Sequence, residues 1–231
     1  MYIYTAIIVE PRIHKTLEYV LQNFNNNLSD EWQFIVFHGN VNKEYTENIC
    51  NKVFIPDRVK LVNLNVNNLS FQQYNKLFYT EEFYSFITTE TFLVFQTDAI
   101  ICSKYKHLIN NFLHYDYVGA PWSHLNDVGN GGLSLRKKSK MLEILSIKKN
   151  NGKLFENGIY INEDVTFSLF NDTDNIPILK PSVEEAKLFA IESIYSEKSF
   201  GIHKAYNYLN ITEICKWCPE FLQLYVLMFH K

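Results

Sequence analysis

At 231 residues, 47% of them hydrophobic and 16% aromatic, the chain carries enough apolar material for a sizeable packed core. Its formal net charge of -3 excludes recruitment of nucleic acid by a global basic field, leaving only local runs such as Arg136-Lys137-Lys138. Four irregularly spaced cysteines argue against a disulfide framework, and no apolar run approaches the length of a membrane span.

Residues 2–9 have the β-branched and aromatic content of a strand. They lack the basic leader and small-residue cleavage site of a signal peptide, so a cytoplasmic protein is expected. Ile13, Leu17, Val20, Leu21 and Phe24 recur at helical spacing and predict a helix over 13–24, broken by Asn25-Asn26-Asn27. A second strand is expected over 32–37, ending in His38-Gly39-Asn40. It is followed by a short helix over 45–53 and a third strand over 59–64. Two helical pieces, 69–77 and 81–88, lead to a fourth strand over 91–95.

The second half is less regular. A short helix is expected over 107–113, and a strand over 117–122 that runs into a loop. Gly129-Asn130-Gly131-Gly132 precedes a short strand over 133–135. A helix over 137–145 is followed by a polar loop over 148–158. Asn162-Glu163-Asp164 caps a helix over 165–170, its acids at the positive end of the dipole. A stretch over 180–190, a turn at Gly201-Ile202-His203-Lys204 and an apolar helix over 221–229 complete the chain. Cys215-Lys216-Trp217-Cys218 has the C-x-x-C spacing without a second pair for zinc. Pro219 follows directly where a redox motif would open a helix, so the pair reads as two ordinary thiols.

Strands alternating with helices predict an α/β fold with a mostly parallel, Rossmann-like central sheet flanked by helices. No internal repeat and no Pro/Gly-rich linker divides the chain, so residues 1–231 read as a single domain.

Several segments carry residues suited to chemistry. Asp98 ends an apolar strand, in Gln96-Thr97-Asp98, where open α/β sheets bind ligands. There it either caps its own turn or holds a divalent cation bridging a diphosphate. The three glycines at 129, 131 and 132 let backbone approach a ligand, or simply make a tight turn. They match neither a Walker A loop nor G-x-G-x-x-G. Glu163 and Asp164 supply a general base with an orienting partner, or only a well-formed helix start. His203 is a candidate metal ligand and Lys204 a candidate phosphate neutraliser. Tyr117-Val118-Gly119-Ala120-Pro121-Trp122 either stacks on a sugar or base or forms wall and core.

Taken in order, Phe-Gln-Thr-Asp98, Asp-Tyr-Val-Gly-Ala-Pro-Trp122, Gly-Asn-Gly-Gly-Leu-Ser-Leu-Arg136, Asn-Glu-Asp-Val165 and Phe-Gly-Ile-His-Lys204 resemble the family DUF5672, whose members look like GT-A-fold glycosyltransferases. Ile-Ile-Val-Glu10-Pro-Arg12 and Phe-His38-Gly39-Asn40 fit it as well. The resemblance implies a GT-A-like domain, with residues 1–115 as the nucleotide-binding half and 116–231 as the acceptor and catalytic half. It places Mn²⁺ or Mg²⁺ on Asp98 and His203. Gln96 stands where a D-x-D motif has its first acid, and would instead hydrogen-bond the ribose. Glu10 and Arg12 would lie near base and ribose, Gly131 and Gly132 along the donor sugar, and Lys204 by the phosphates. Asp164 or Glu163 would be the catalytic base.

The expected activity is transfer of a sugar from a nucleotide-sugar, a UDP- or GDP-sugar, to a hydroxyl of a glycan or protein acceptor. It would be metal-assisted and inverting. Two rivals are a nucleotidyltransferase acting on sugar phosphates and a non-catalytic nucleotide- or glycan-binding module of the same fold.

Overall fold

The computed structural model describes residues 1–169 and 177–230. In chain order the first half contains β1 (Tyr4–Val9), α1 (Leu17–Asn27), β2 (Trp32–His38), α2 (Lys43–Val53), β3 (Val59–Asn63), α3 (Phe71–Leu77), α4 (Glu81–Ser85), β4 (Thr91–Phe95) and β5 (Ala99–Ile101). A 3₁₀ segment, Ser103–Asn111, takes the place of the helix expected over 107–113. Then come β6 (Tyr117–Gly119), β7 (Pro121–Trp122), β8 (Asp127–Val128), β9 (Leu133–Lys137), α5 (Lys138–Asn150), β10 (Phe155–Glu156) and β11 (Ile159–Tyr160). The chain continues with α6 (Glu163–Ser168), α7 (Val183–Phe189), β12 (Ala190–Ile191), β13 (Gly201–His203), α8 (Ile211–Cys215) and α9 (Glu220–Phe229). The expected end of α6 at Phe170 lies outside the described residues.

Among the described residues, six strands form one sheet in the order β3-β2-β1-β4-β9-β6. β1 pairs in parallel with both β2 and β4, whereas β9 runs antiparallel between β4 and β6. The mostly parallel sheet is therefore as expected. Alternate residues serve opposite faces: Ala6, Phe34 and Leu93 enter one core, and Ile7, Ile35 and Phe92 the other. Both faces are covered, which is why these strands read as continuous apolar runs. From β1 the chain moves outward to β2 and β3, then returns to the other side of β1 as β4. The strand order reverses between β1 and β4, and at such a switch point the carboxyl ends of the strands open a crevice.

A second, three-stranded sheet, β12-β13-β5, completes the frame around that crevice. Its existence corrects the reading of 201–204 as a turn: Gly201–His203 is a strand, paired with β5 and β12. Asn23 ties α1 to this sheet, donating to the Ile101 carbonyl at 2.9 Å and accepting from its N–H at 2.8 Å.

Other boundaries moved for local reasons. α1 begins at Leu17 because Ile13 is exposed in the loop leaving β1, and buried Thr16 anchors that loop by donating to the Thr97 carbonyl. The three asparagines do not break the helix. Asn25 donates to the Val53 carbonyl at 2.9 Å and Asn27 to that of Asn23 at 2.8 Å, offsetting the modest helix propensity of asparagine. The polar loop over 148–158 is instead the last turn of α5 followed by the β10–β11 hairpin, with Lys148 buried. The run Arg136-Lys137-Lys138 is no basic surface patch. Arg136 is buried, Lys137 donates to the Thr91 hydroxyl at 2.6 Å and Lys138 to the Ile87 carbonyl at 2.7 Å.

Cys218 is not a free thiol: it is disulfide-bonded to Cys102, across a sequence separation of 116 residues. Spacing alone could not reveal this, because the bond joins the end of β5 to the segment between α8 and α9. Cross-linking so long a loop restricts the unfolded chain, so reduction should lower the unfolding free energy by about 2–4 kcal/mol. Urea midpoints with and without reductant, and of Cys102→Ser, measure this. Four titrating thiols in the unreduced, denatured chain would exclude the bond.

Candidate active site

The crevice at the β1–β4 switch point is a cavity of about 440 Å³. Its wall includes Glu10 and Arg12 after β1, Gln96 and Asp98 after β4, Gly131 and Gly132 before β9, Glu163 and Asp164 at the start of α6, and His203 at the end of β13. Nine of the ten residues to which the resemblance gives roles thus meet in one place, although they span the chain. Lys204 falls outside the lining. Its left-handed backbone (φ 50°) turns the chain away after β13, and its N–H donates to the Asp98 carbonyl at 3.1 Å.

Glu10 and Arg12 are bound to each other. The Arg12 Nε and Nη2 groups each donate to the Glu10 carboxylate at 2.8 Å, leaving the arginine exposed and the glutamate buried. Asn42, which the sequence reading passed over, holds this segment by donating to the carbonyls of Glu10 at 2.8 Å and Arg12 at 2.9 Å.

Asp98 and His203 face each other because β5 and β13 are antiparallel with Ala99 opposite His203. Asp98 Oδ1 lies 3.3 Å from His203 Nε2, and Gln96 Oε1 lies 3.3 Å from the same nitrogen. Gln96 is itself fixed, donating to the Tyr74 hydroxyl at 3.2 Å. On the other side of the ring, Nδ1 stands 3.3 Å from Oε1 of Glu192, a residue that no sequence signal flagged. Burial alone would lower the imidazole pKa, but Asp98 and Glu192 outweigh it and raise it to about 9. Burial likewise pushes the Asp98 carboxyl up, yet the His203 charge and Lys204 hold it below its ordinary value. Gly132 is a glycine because a Cβ there would lie 2.0 Å from His203 Nε2. Its backbone is the surface on which the imidazole rests.

The two acids of α6 have separate fates. Glu163 is committed to Arg136, whose Nη1 and Nη2 donate to its two oxygens at 2.5 and 3.0 Å. Arg136 has 0% exposure and lies over the rings of Tyr117 at 5.0 Å and Phe78 at 5.2 Å. Tyr117 is therefore wall and core. Asp164 also lines the cavity but bonds to backbone instead. Its Oδ2 accepts from the Gly131 N–H at 3.1 Å and its Oδ1 from the Val165 N–H at 2.8 Å. Burial, and then the Glu163 charge, raise its pKa to about 6 despite those two bonds. Gly131 must lack a side chain, since a Cβ would lie 2.6 Å from Glu163 Oε1.

A family model described as a protein of unknown function, DUF5672, matches residues 58–203. The chain belongs to this family. The matched segment of the DUF5672 chain contains Gln96, Asp98, Gly131, Gly132, Glu163, Asp164, Glu192 and His203, but not Glu10 or Arg12. No curated protein matches it in sequence. Solved structures share its fold at low identity. The galactosyltransferase LgtC, solved with donor and acceptor sugar analogs, has a TM-score of 0.55 at 10% identity, covering 95% of this chain and 94% of LgtC. The glycosyltransferase GlyE of Streptococcus pneumoniae TIGR4 gives 0.58 at 9% identity, covering 97% of this chain, which spans 62% of GlyE. The inositol-1-phosphate CTP transferase of T. maritima gives 0.52 at 10% identity, covering 94% of this chain and 95% of that one. The fold is thus the one used by GT-A glycosyltransferases and by nucleotidyltransferases.

The Arg136–Glu163 pair is open to a direct test. Arg136→Met leaves a buried carboxylate without its partner and should cost about 3–5 kcal/mol in urea unfolding. The double variant Arg136→Met/Glu163→Leu should recover most of that loss. A single-variant cost below about 1 kcal/mol would show that the pair contributes little.

Proposed function

We propose that this DUF5672 chain is a glycosyltransferase that moves a sugar from a nucleotide-sugar donor, a UDP- or GDP-sugar, to a hydroxyl of a glycan or protein acceptor. The observation that carries the proposal is the convergence, in one cavity at the sheet's switch point, of an aspartate–histidine pair, a glycine backbone and a separate carboxylate with raised proton affinity. Those are the parts that sugar transfer requires.

Among the described residues, no group of three or more His, Cys, Asp or Glu side chains is arranged to hold a metal by itself. Asp98 and His203 nevertheless fit a divalent cation shared with a diphosphate. Asp98 Oδ1 is a buried acceptor with no hydrogen-bond partner among the described residues. Adjacent ligands of Mg²⁺ or Mn²⁺ stand about 3 Å apart, close to the 3.3 Å between Asp98 Oδ1 and His203 Nε2. Both ions are bound by one or two protein side chains when substrate phosphates supply further oxygens. When bound, the cation stabilises the charge of the departing diphosphate as a Lewis acid. To serve as ligand, the His203 ring gives up its Nε2 proton and keeps the one on Nδ1, facing Glu192.

The remaining roles belong to the chain itself. Glu10 and Arg12 form the wall for base and ribose, and Gly131 presents bare backbone to the donor sugar. Gly132 supports that loop from behind, against His203. Asp164 takes the proton from the acceptor hydroxyl in an inverting displacement. Glu163, neutralised by Arg136, is the orienting partner of Asp164 and not the base. Residues 1–231 act together as one domain.

Two outcomes follow. Donor nucleotide-sugar with Mn²⁺ should raise the melting temperature, because a ligand bound to the native state stabilises it. Asp98→Asn should abolish the metal-dependent part of that shift, and an unchanged shift would refute the cation assignment. Release of pyrophosphate from a nucleoside triphosphate would favour the nucleotidyltransferase that the shared fold also permits. Binding without transfer or hydrolysis would favour a non-catalytic module.

The second outcome concerns pH. A base must be ionised, and Asp164 titrates at about 6, so with saturating Mn²⁺ kcat/KM should rise as pH passes through about 6. Asp164→Asn should remove that limb and cut turnover by about 10²–10⁴-fold. In stability the sign is opposite. A raised carboxyl pKa favours folding with the proton bound, a contribution present below about pH 4 and lost as pH rises through about 6.

A further inference from the structure

Glu192 lies outside the cavity, yet it joins two parts of the site. β12 runs parallel to β13 with Ile191 opposite Ile202, so the next residues, Glu192 and His203, stand side by side. β5 flanks β13 on its other edge with Ala99 opposite His203. The small sheet therefore sets Glu192, His203 and Asp98 in a row, a carboxylate on each side of one imidazole. Glu192 Oε1 approaches Nδ1 at 3.3 Å, and Asp98 Oδ1 approaches Nε2 at 3.3 Å.

The second oxygen of Glu192 reaches elsewhere. Oε2 accepts from Asn130 Nδ2 at 2.9 Å, and Asn130 Oδ1 accepts from the Gly132 N–H at 3.0 Å. Gly132 in turn rests against the His203 ring. The contacts form a closed circuit from Glu192 to His203 to Gly132 to Asn130 and back to Glu192. The carboxylate is almost fully buried, with a side-chain exposure of 9%. A buried carboxylate costs free energy unless its oxygens are engaged, and here Oε2 is hydrogen-bonded to Asn130 while Oε1 faces the imidazole as a counter-charge.

We propose that Glu192 is a positioning residue that orients His203 toward the cation and holds the Asn130–Gly132 loop in register with it. It touches neither donor nor acceptor. It fixes which ring nitrogen faces Asp98, and it couples that choice to the glycine backbone beside the donor sugar. Carboxylates on the far nitrogen of a metal-ligating histidine act in this way, and their loss weakens metal binding by about 10–100-fold. This inference rests on the cation reading of the preceding section.

The test measures Mn²⁺ affinity by electron paramagnetic resonance of free Mn²⁺, with UDP or GDP present. Glu192→Ala should weaken binding by about tenfold or more. Glu192→Gln keeps the shape and one acceptor oxygen, so it folds and should show an intermediate loss. In a His203→Ala background, Glu192→Ala should cost little more, because a residue acting through His203 has nothing left to orient. A merely structural role would add its full loss in both backgrounds. Wild-type affinity in Glu192→Ala and Glu192→Gln, or full additivity with His203→Ala, overturns the proposal. A wild-type protein that takes up no Mn²⁺ with either nucleotide overturns the cation reading, and this proposal with it. Wild-type uptake with unaffected variants overturns this proposal alone.

Discussion

A full positive charge sealed inside the sheet governs the geometry of this site. Arg136 lies on β9, between Phe92 of β4 and Tyr117 of β6, with no exposure to water. A buried guanidinium persists only if its charge and its donors are satisfied. Glu163 supplies the counter-charge through two bonds, Ser134 accepts from Nε at 2.9 Å, and aromatic rings close over the plane. Glu163 is the first residue of α6, so this requirement locks the helix start to the sheet. Asp164 is then fixed at the cavity wall, and Gly131 is pressed against both acids. One electrostatic constraint thus sets the position of the carboxylate and of the backbone it faces.

The two sheets divide the work. The main sheet opens the crevice where its strand order reverses, as the doubly wound arrangement dictates. The small sheet brings in residues from far along the chain, since β5 and β13 are about a hundred residues apart yet in register. Its three charged groups alternate in sign when His203 is protonated, so Asp98 and Glu192 each stabilise the imidazolium between them. On the proposed cation reading, the same row would supply a ligand once the ring is neutral. The site therefore has two charge states of its histidine available, linked by one proton.

Much of this was legible beforehand. Apolar strands separated by amphipathic segments announce a parallel α/β sheet, because strands covered on both faces must be apolar along their length. Asp98 stood out because a carboxylate at the end of such a strand has little to pack against. Residues that hide their role inside the fold were less legible. Alternation in Leu133-Ser134-Leu135-Arg136 would send the serine and arginine to solvent, whereas α6 and the Phe78 side of the core cover that face. Glu192 sits in an unremarkable stretch, and only strand register places it beside His203. The Cys102–Cys218 bond was hidden for the same reason, as its partners meet only when α9 packs beside β5.

The sequence by itself determined the strand and helix alternation, the glycine-rich approach to β9, and the set of polar residues that gather at the cavity. The first two follow from local propensity and hydrophobic periodicity, which are properties of neighbouring residues, and the third from the resemblance of the motifs to DUF5672. Tertiary structure alone decided which acid is neutralised by Arg136 and which accepts from backbone. Adjacent in the chain and alike in chemistry, Glu163 and Asp164 differ because one meets Arg136 and the other the Gly131 N–H. It also decided that Gly132 lies against His203, and that Glu192 stands beside the same ring. Charge pairing and close approach across the sheets depend on distances between residues far apart in sequence, and those distances exist only once the chain has folded.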